Sequence, residues 1–516
     1  MTTRNRILTM GMVSILACAY LLSGCANGGS SSGIPSAGST SSAGASSQTA
    51  ANTSSGPMVT ITWYIMGNYP CPDQDAVMKA ANDYLKTKLN AQLNVIPLTW
   101  GDYGTKMSVA IASRQQFDLC FTSDWINDFV ANVSKGAFMP LDDLMKTDAP
   151  QTYASIPAAW WKAVSINGKI YGVINQQISA RSTEITYATA DAQKYDFDSS
   201  TYVKGDLSSL DPFIAKMYAA DPNRYVLVVD TTPIDFLGLD NPSGTSVPCV
   251  VDPNDPTSKV QDMWQMPAVK QWYATLQDWN AKGWQQSERR ITLTTDPTSD
   301  ITSGLVMLET SGTWKPGGDV EMSKQNGFPT TDIVSGTPVL STGGIQATLT
   351  AVSATSANPD MAMKVLELVN TDPELYNILG NGIEGVHYTL DSNKQMIFTD
   401  KQPNYGPGNT WAWGTNYMSY VSQGQPADVW EQTKQYNNAA TMSPLLGFSF
   451  DPTPVKDDIA KVTAISTQYA RGLQLGYYST AQYDDMDAKL QTAGLGDIIT
   501  EMQKQIDAWK ASNTAS

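Results

Sequence analysis

After residue 58, the spacing of hydrophobic residues along the chain switches between the period of a β-strand and the period of an α-helix. Every second residue from Val59 to Ile65 is apolar, which predicts a β-strand with one buried face. From Asp75 to Leu89 the apolar residues recur with the period of a helix, and Leu93 to Leu98 predicts the next strand. A strand, a helix and a strand in close succession favour a right-handed parallel unit. Further short strands are predicted at Phe117–Phe121, Tyr225–Val229 and Leu305–Leu308, so the predicted fold class is α/β.

The last part of the chain is predicted to be helical. Asn358 followed by Pro359 predicts a capping side chain and a first-turn proline that open a helix through Val369. Two apolar stripes at helical spacing follow, one from Ile459 to Leu473 and one from Ile498 to Trp509. We therefore expect a helical C-terminal region that packs on another part of the protein.

The N-terminus has the pattern of an export signal. Arg4 and Arg6 precede an apolar run from Ile7 to Leu22, which has the length of a signal peptide and is short for a membrane span. The run ends in Leu22-Ser23-Gly24-Cys25, which resembles the bacterial lipobox, whose cysteine receives a lipid and becomes the first residue after cleavage. Residues 1–25 are thus predicted to be a signal peptide that ends in a lipidated Cys25. A plain secretory signal with an incidental cysteine is the alternative.

A tract of Ser, Gly, Ala and Thr follows the predicted lipidation site. Residues 26–57 contain too little apolar surface to fold, so they are predicted to be a disordered tether. Together, the signal, Cys25 and the tether predict a folded part that is lipid-anchored at the extracellular face of a cell membrane of the Gram-positive type.

Charge and cysteine content narrow the choice of function. The formal net charge is -16 and no basic stripe is present, which argues against nucleic-acid binding because phosphate backbones are bound by clustered Lys and Arg. The length that remains after the tether predicts two lobes or domains. Cys71, Cys120 and Cys249 follow Cys25, and the sequence allows either one disulfide among them or three buried thiols.

Several stretches, in this order behind a lipobox, carry a resemblance to a known family. They are Tyr103–Met107, Phe117–Ser123, Gly136–Asp142, Asn167–Val173, Asn370–Glu374, Gly382–Gly385 and His387–Tyr388, with a further match from Leu446 to about Trp509. The chain resembles the extracellular solute-binding proteins of carbohydrate-type ABC transporters, in particular the large lipoprotein branch found in Firmicutes and called LplA or LipO. That branch has its own C-terminal domain.

The resemblance implies a two-lobe, type II periplasmic-binding-protein-like fold with a hinge and a ligand cleft between discontinuous lobes. Lobe 1 is expected at residues 58–172 plus about 345–400, and lobe 2 at 173–344 plus about 401–516. The hinge is expected after Tyr171-Gly172-Val173 and near Ser341-Thr342-Gly343-Gly344. The implied function is that of a monomeric receptor that binds a carbohydrate, expected to be an oligosaccharide, and delivers it to the permease subunits of an ABC importer.

Aromatic and acidic residues beside predicted strands are the main candidates for ligand contact, because aromatic faces cover sugar rings and fixed polar groups meet hydroxyls. Trp314 follows the strand Leu305–Leu308 and matches a Trp that stacks on sugar in the family; packing in the core is its alternative. Asp124 and Trp125 follow the strand Phe117–Phe121, and Asp124 is alternatively an N-cap of a helix from Ile126.

Trp411 and Trp413 alternate in a Gly-rich segment, so one is expected to line the site and the other to pack, without the sequence deciding which. Further rim contacts are predicted at Tyr64, Asn68, Asn175 and Glu384. An acidic sugar would need a cation in the cleft, and Arg181 is the candidate for that contact.

An extracellular glycoside hydrolase is the alternative of another class, because it also needs a cleft, aromatic residues and two carboxylates. No motif marks a catalytic pair, and His387 is the single histidine, so neither a catalytic residue nor a metal or other cofactor is predicted. A peptide-binding transport lipoprotein and a surface adhesin are the remaining alternatives.

Overall fold

The computed structural model describes residues 57–228, 232–243, 247–292 and 297–514. Within these ranges the chain forms helices and strands. The predicted signal peptide, Cys25 and the tether up to residue 56 lie outside the described residues. None of the described helices is both long enough and apolar enough to cross a membrane.

The first part of the chain alternates strands and helices, as its hydrophobic periods predict. Its elements are β1 Val59–Gly67, α1 Gln74–Lys88, β2 Ala91–Thr99, α2 Trp100–Ala112, β3 Leu119–Thr122, α3 Phe129–Ser134, α4 Asp142–Thr147, α5 Pro150–Ser155, β4 Ser165–Ile166, β5 Lys169–Ile170 and β6 Val173–Ile174.

The middle of the chain contributes a second set. It comprises β7 Thr183–Ala188, α6 Thr189–Lys194, α7 Asp211–Ala220, β8 Tyr225–Val228, α8 Pro233–Leu237, β9 Cys249–Val250, β10 Gln261–Asp262, α9 Pro267–Ala281, α10 Ser287–Arg290, α11 Thr298–Thr302, β11 Val306–Thr313, α12 Gly318–Asn326 and β12 Thr330–Val334.

The last part of the chain is mostly helical. It comprises β13 Val339–Leu340, α13 Thr342–Gln346, β14 Leu349–Val352, α14 Pro359–Thr371, α15 Pro373–Asn381, β15 Tyr388–Leu390, β16 Met396–Phe398, α16 Thr410–Trp413, α17 Val429–Ala439, β17 Thr441–Met442, α18 Lys456–Gln474, α19 Thr480–Thr492 and α20 Leu495–Thr514. Asn358 is the N-cap residue of α14, but its side chain makes no capping hydrogen bond.

A five-stranded sheet with the order β2-β1-β3-β14-β6 forms the centre of the first lobe. The strand β1 is parallel to β2 and to β3, whereas β14 is antiparallel to β3 and β6. From Trp63 to Gly67 every residue of β1 is buried, although the alternating pattern predicts only one buried face. Both faces are buried because the central strand of a largely parallel sheet is covered by helices on either side.

A four-stranded sheet with the order β12-β7-β11-β8 forms the centre of the second lobe. The C-terminal helices α18, α19 and α20 complete its core rather than forming a core of their own. Val462 of α18, Met486 of α19 and Ile506 of α20 are fully buried in the same hydrophobic cluster as Val226 of β8. The helical C-terminal region predicted from the apolar stripes therefore packs on the second lobe.

The boundaries of the lobes differ from the predicted ones at two places. The strand β6, at Val173–Ile174, belongs to the first sheet, so the first crossing between the lobes lies between Ile174 and Thr183. Tyr405 and Trp413 pack in the first core, whereas the expected division placed residues 401–516 in lobe 2. The reason is local, because Asn409 Nδ2 donates to the carbonyl of Met66 at 2.6 Å and fixes this segment at the end of β1.

Truncation of a C-terminal core residue should destabilise the second lobe. Ile506 is fully buried, so Ile506→Ala is expected to lower the free energy of unfolding by about 2–5 kcal/mol through lost apolar burial and a residual cavity. Urea denaturation followed by tryptophan fluorescence measures this change. Lys504→Ala in the same helix, whose side chain is 73% exposed, is the control and should change stability by no more than about 0.5 kcal/mol. Equal effects of the two variants would contradict the packing of α20 described above.

The carboxyl group of Asp262, at the junction of the C-terminal helices and the second lobe, should make stability depend on pH. Burial and the neighbouring charge of Asp487 raise the pKa of Asp262 from 3.8 to about 7. An unfolded chain releases this proton at lower pH than the folded one, so stability falls as the pH rises from about 4 to about 7.

The variant Asp487→Asn removes the neighbouring charge and should flatten this decline, which for one proton is at most about 1.4 kcal/mol per pH unit. Denaturation midpoints measured between pH 4.5 and pH 7.5 report the slope. Asp484→Asn changes an exposed carboxylate in the same helix and serves as the control. An unchanged slope in Asp487→Asn would show that the two carboxyl groups do not interact.

Candidate ligand-binding site

The crossing segments between the lobes are held together by a buried asparagine side chain. Asn437 of α17 accepts hydrogen bonds from the backbone N–H groups of Ser179 and Ala180, both at 2.9 Å. Its Nδ2 donates to the carbonyl of Gln177 at 2.7 Å. One side chain thus provides the hydrogen-bond partners of three backbone groups in the first crossing, where no neighbouring strand is available.

Asn175, which the sequence proposes as a rim contact, lies at the start of the same crossing and is buried. Its Nδ2 donates to the carbonyl of Ala412 at 3.1 Å, and its Oδ1 accepts from Thr350 Oγ1 at 3.3 Å. The side chain therefore ties the first crossing to α16 and β14. Its contact with a ligand stays a prediction.

The carboxyl ends of the parallel strands in the first sheet bring polar and aromatic residues to one edge, which is where open α/β sheets place their sites. Asn68 follows β1, Trp100 follows β2, and Asp124 and Trp125 follow β3. Trp100 Nε1 donates to Asn68 Oδ1 at 2.7 Å. Trp125 is 50% exposed, and its Nε1 donates to the carbonyl of Ala347 at 2.9 Å.

Trp411 joins these residues and completes a surface that we call the aromatic wall, made of Trp100, Trp125 and Trp411 over Phe121. The rings of Trp100 and Trp411 are stacked, with centroids 5.9 Å apart and planes at 27°. Trp125 lies 6.2 Å from Trp411, and Phe121 lies 5.5 Å from Trp411. The wall is a ready surface for the apolar face of a flat ligand.

The two alternating tryptophans of α16 take different roles, as the sequence suggests. Trp411 is half-buried in the aromatic wall, whereas Trp413 is fully buried. Trp413 packs edge-on against Trp63, with centroids 5.1 Å apart and planes at 78°. Trp100 was not among the candidates, although its place directly after the second strand is a signal that could have identified it.

Asp124 is not a helix N-cap, so that alternative is wrong. The helix α3 begins at Phe129, and Asp128 caps it by accepting from the backbone N–H of Ala131 at 2.9 Å. Asp124 Oδ2 instead lies 4.0 Å from Arg181 Nη2, which stands on the crossing toward the second lobe. Burial raises the pKa of Asp124, and the charge of Arg181 opposes this rise.

Trp314 lies on the second lobe and directly follows β11. Its Nε1 donates to Asp332 Oδ1 at 3.0 Å, and its ring centroid is 4.8 Å from that of Tyr436. The ring is half-buried, so part of its surface is open. Burial and then the charge of Asp332 raise the pKa of Glu184, which stands beside Asp332, to about 8.

The remaining candidates lie apart from the aromatic wall. Tyr64 is buried, and its hydroxyl accepts from Gln115 Nε2 at 2.8 Å. Glu384 is exposed in the loop before β15. His387 is buried, with its Nδ1 accepting from the backbone N–H of Ile383 at 2.9 Å, which is a structural arrangement. Contacts of Tyr64 and Glu384 with a ligand stay predictions.

Metal and thiol chemistry find no support in the described part of the chain. No group of three or more His, Cys, Asp and Glu residues within it is arranged to hold a metal ion. The structure has three free, buried thiols, at Cys71, Cys120 and Cys249, and no disulfide joins any two of them.

Two parts of the chain match models of protein families. The model of the bacterial extracellular solute-binding proteins matches residues 72–180, and a domain of unknown function, DUF3502, matches residues 444–511. A carbohydrate ABC transporter substrate-binding protein of Streptococcus pneumoniae serotype 4 is 26% identical over 460 residues, which cover 88% of this chain and 91% of that protein.

Solved structures of similar proteins share the fold of this chain. The N-glycan transport solute-binding protein NgtS from Streptococcus pneumoniae superposes with a TM-score of 0.78 at 25% identity, covering 87% of this chain and 98% of that one. Its complex with Man5GlcNAc superposes with a TM-score of 0.67 at 25% identity, covering 87% of this chain and 98% of that one. The alginate-binding protein AlgQ2, at 16% identity and a TM-score of 0.60, shares the fold over 87% of this chain and 98% of its own.

These relatives are binding proteins and not enzymes, and the α/β architecture in two lobes with a helical C-terminal region is that of type II periplasmic solute-binding proteins. The resemblance to extracellular solute-binding proteins found in the sequence is thereby confirmed, since residues 72–180 match their family model and 88% of the chain is similar to a carbohydrate ABC transporter substrate-binding protein.

Proposed function

We propose that this protein is a lipid-anchored extracellular receptor that binds an oligosaccharide between its two lobes and delivers it to an ABC importer. The observation that carries the proposal is the aromatic wall, in which the half-exposed Trp125 stands beside the carboxylate of Asp124. A sugar ring needs both kinds of contact, because its C–H face packs on an aromatic ring while its hydroxyls donate to fixed acceptors.

The relatives support a carbohydrate as the ligand class. NgtS is described as a transport protein for N-glycans, and its solved complexes contain Man1GlcNAc and Man5GlcNAc. In this chain the ring centroids of Trp100 and Trp125 lie 5.9 Å and 6.2 Å from that of Trp411, which gives an aromatic surface on which sugar rings can pack. An oligosaccharide of mannose and N-acetylglucosamine is therefore the first ligand to test.

Closure of the lobes is the step that a permease would sense. The aromatic wall belongs to the first lobe and Trp314 to the second, so a ligand that touches both stabilises the closed form by its differential affinity for that form. Asn437 ties Ser179 and Ala180 of the first crossing to α17, so a rotation of the lobes would be absorbed by the crossing residues outside this contact. The chain is proposed to act as a monomer in this cycle.

Features near the two ends of the chain support the proposed lipid anchor and the proposed branch of the family. The lipobox-like Leu22-Ser23-Gly24-Cys25 and the tether that follows it support lipidation at Cys25 and a place on the outer face of a Gram-positive cell membrane. The match of residues 444–511 to a separate domain model supports the branch with its own C-terminal domain, called LplA or LipO in Firmicutes.

Removal of one ring from the aromatic wall should weaken sugar binding without unfolding the protein. Titration calorimetry of Man5GlcNAc with the chain from Ser54 onward measures affinity, and Trp125→Ala is expected to lower it by about tenfold or more, equivalent to at least 1.4 kcal/mol. A ligand at a hundred times its dissociation constant should also add about 2.7 kcal/mol to the free energy of unfolding of the unchanged chain.

Phe398→Ala is the matched control, because Phe398 is 43% exposed and lies on the hairpin strand β16, away from the wall. It should leave the affinity unchanged. Stabilisation by peptides in place of glycans would replace the carbohydrate assignment, and recovery of cleaved sugar would contradict a transport role.

Lipidation at Cys25 has its own test in cells. Cys25→Ala removes the thiol that the lipid would join, so the protein should move from the membrane fraction to the culture medium. Immunoblots of both fractions measure the distribution, and Cys71→Ala, which removes a buried thiol of the folded part, is the control. Retention of Cys25→Ala at the membrane would contradict the proposed anchor.

A further inference from the structure

A cavity of about 380 Å³ lies beside the first crossing between the lobes, and we call it the hinge cavity. Its lining includes Ser155 and Trp160 from the first lobe, Gln176 from the crossing, and Lys434 and Asn438 from α17. None of the residues that line it belongs to the aromatic wall. Its volume lies at the lower end of the range of about 300–1,000 Å³ for small-molecule pockets, so it suits a ligand the size of a single sugar ring.

The chain that connects the aromatic wall to the hinge cavity is buried. Directly after Trp411, the carbonyl of Ala412 accepts from Asn175 Nδ2 at 3.1 Å. Thr415, which lines the cavity, is 3% exposed, and its backbone N–H donates to Asn370 Oδ1 at 2.9 Å. Residues 412–415 are all buried, so the cavity has walls of its own.

Two buried polar groups of the lining have hydrogen-bonding capacity left. Trp160 is 3% exposed and Gln176 is 6% exposed. Gln176 Nε2 donates to Ser155 Oγ at 3.1 Å, but Gln176 Oε1 and the indole N–H of Trp160 have no hydrogen-bond partner among the described residues. Buried polar groups without partners are costly, so a ligand that offers an acceptor to the indole and a donor to the amide oxygen is favoured.

Lys434 gives the hinge cavity a positive charge, because it is the only charged residue among the described residues that line the cavity. Its Nζ lies 5.0 Å from the centre of the Tyr417 ring, which also contributes to the lining. The carboxylate of Glu431 lies 3.9 Å from Nζ, and both side chains are exposed, so this ion pair contributes little. An ammonium group that is weakly paired favours a ligand with negative charge.

We propose that the hinge cavity is a second binding site, separate from the cleft, for a small hydroxylated carboxylate the size of one sugar ring, such as a hexuronate. Lys434 and the Trp160 indole donate to its oxygens, and Gln176 Oε1 accepts from one of its hydroxyls. The ring of Tyr417 offers an aromatic surface to its C–H groups. The inference does not rest on the proposed function, because the residues of the cavity and those of the aromatic wall are different.

Glucuronate and glucose are a matched pair of probes, because they differ only in the carboxylate that replaces a primary alcohol. Ligand-observed NMR titrations with the chain from Ser54 onward measure both affinities. We expect glucuronate to bind at least about fivefold more tightly than glucose. The variant Trp125→Ala, which impairs the aromatic wall, should leave the affinity for glucuronate unchanged.

Two variants act on the cavity itself. Asn438→Trp places a large side chain on an exposed position of α17 that lines the cavity, so it should lower the affinity for glucuronate at least about tenfold. Gln435→Trp adds the same side chain at an exposed position of α17 outside the lining and should have no effect. Lys434→Gln should reduce the preference for glucuronate over glucose severalfold, whereas Lys504→Gln removes an equal charge from α20 and should preserve it.

Each outcome bears on the inference. Tighter binding of glucuronate that Asn438→Trp removes and Gln435→Trp preserves supports it. Loss of glucuronate binding in Trp125→Ala places this ligand on the aromatic wall and overturns the second site. Equal affinities for the two probes, or a preference that Lys434→Gln does not change, also overturn it, as does absence of glucuronate binding to the unchanged chain. If Asn438→Trp folds poorly, Lys434→Gln still decides, because it alters only an exposed side chain.

Discussion

The structure depends on the hydrogen bonds of the backbone segment that crosses between the lobes. Its N–H and C=O groups have no neighbouring strand to bond with, so they need partners from elsewhere. Asn437 supplies an acceptor to Ser179 and Ala180 and a donor to Gln177, so one side chain of α17 holds the first crossing. Because buried amide and carbonyl groups are costly when they lack partners, these contacts stabilise the conformation of the crossing seen here. The aromatic wall and Trp314 belong to the lobes on either side of this crossing.

The site combines surfaces that come from distant parts of the chain. The carboxyl ends of the parallel strands supply Trp100 and Trp125, but Trp411 joins them only because Asn409 holds its segment at the end of β1. Asp124 stands beside this wall and lies 4.0 Å from Arg181 on the crossing toward the second lobe. The stacked rings thus give an aromatic surface on the first lobe, and a charged pair borders it.

Much of the fold could be predicted because it follows from short-range periodicity. The strand β1 and the helix α1 lie where alternating and helical patterns place them, and the two late apolar stripes form α18 and α20. The sequence pattern did not predict that β1 is buried on both faces, because periodicity within one strand does not report which neighbours cover it. The lobe boundary near residue 400 was misplaced for a similar reason, since Tyr405 and Trp413 pack in the first core through contacts with residues far away in the chain.

The sequence by itself determined the α/β class, the resemblance to extracellular solute-binding proteins, and which residue types could meet a sugar, because strand period, motif order and side-chain chemistry are local properties of the chain. It could not choose between Trp411 and Trp413, nor show that Arg181 lies beside Asp124. Those questions depend on which distant residues meet, and only the tertiary structure decides that. Trp413 packs against Trp63 while Trp411 is part of the aromatic wall, and Arg181 on the crossing lies 4.0 Å from Asp124. The physical reason is that burial and charge pairing depend on proximity in space, which the order of residues does not report.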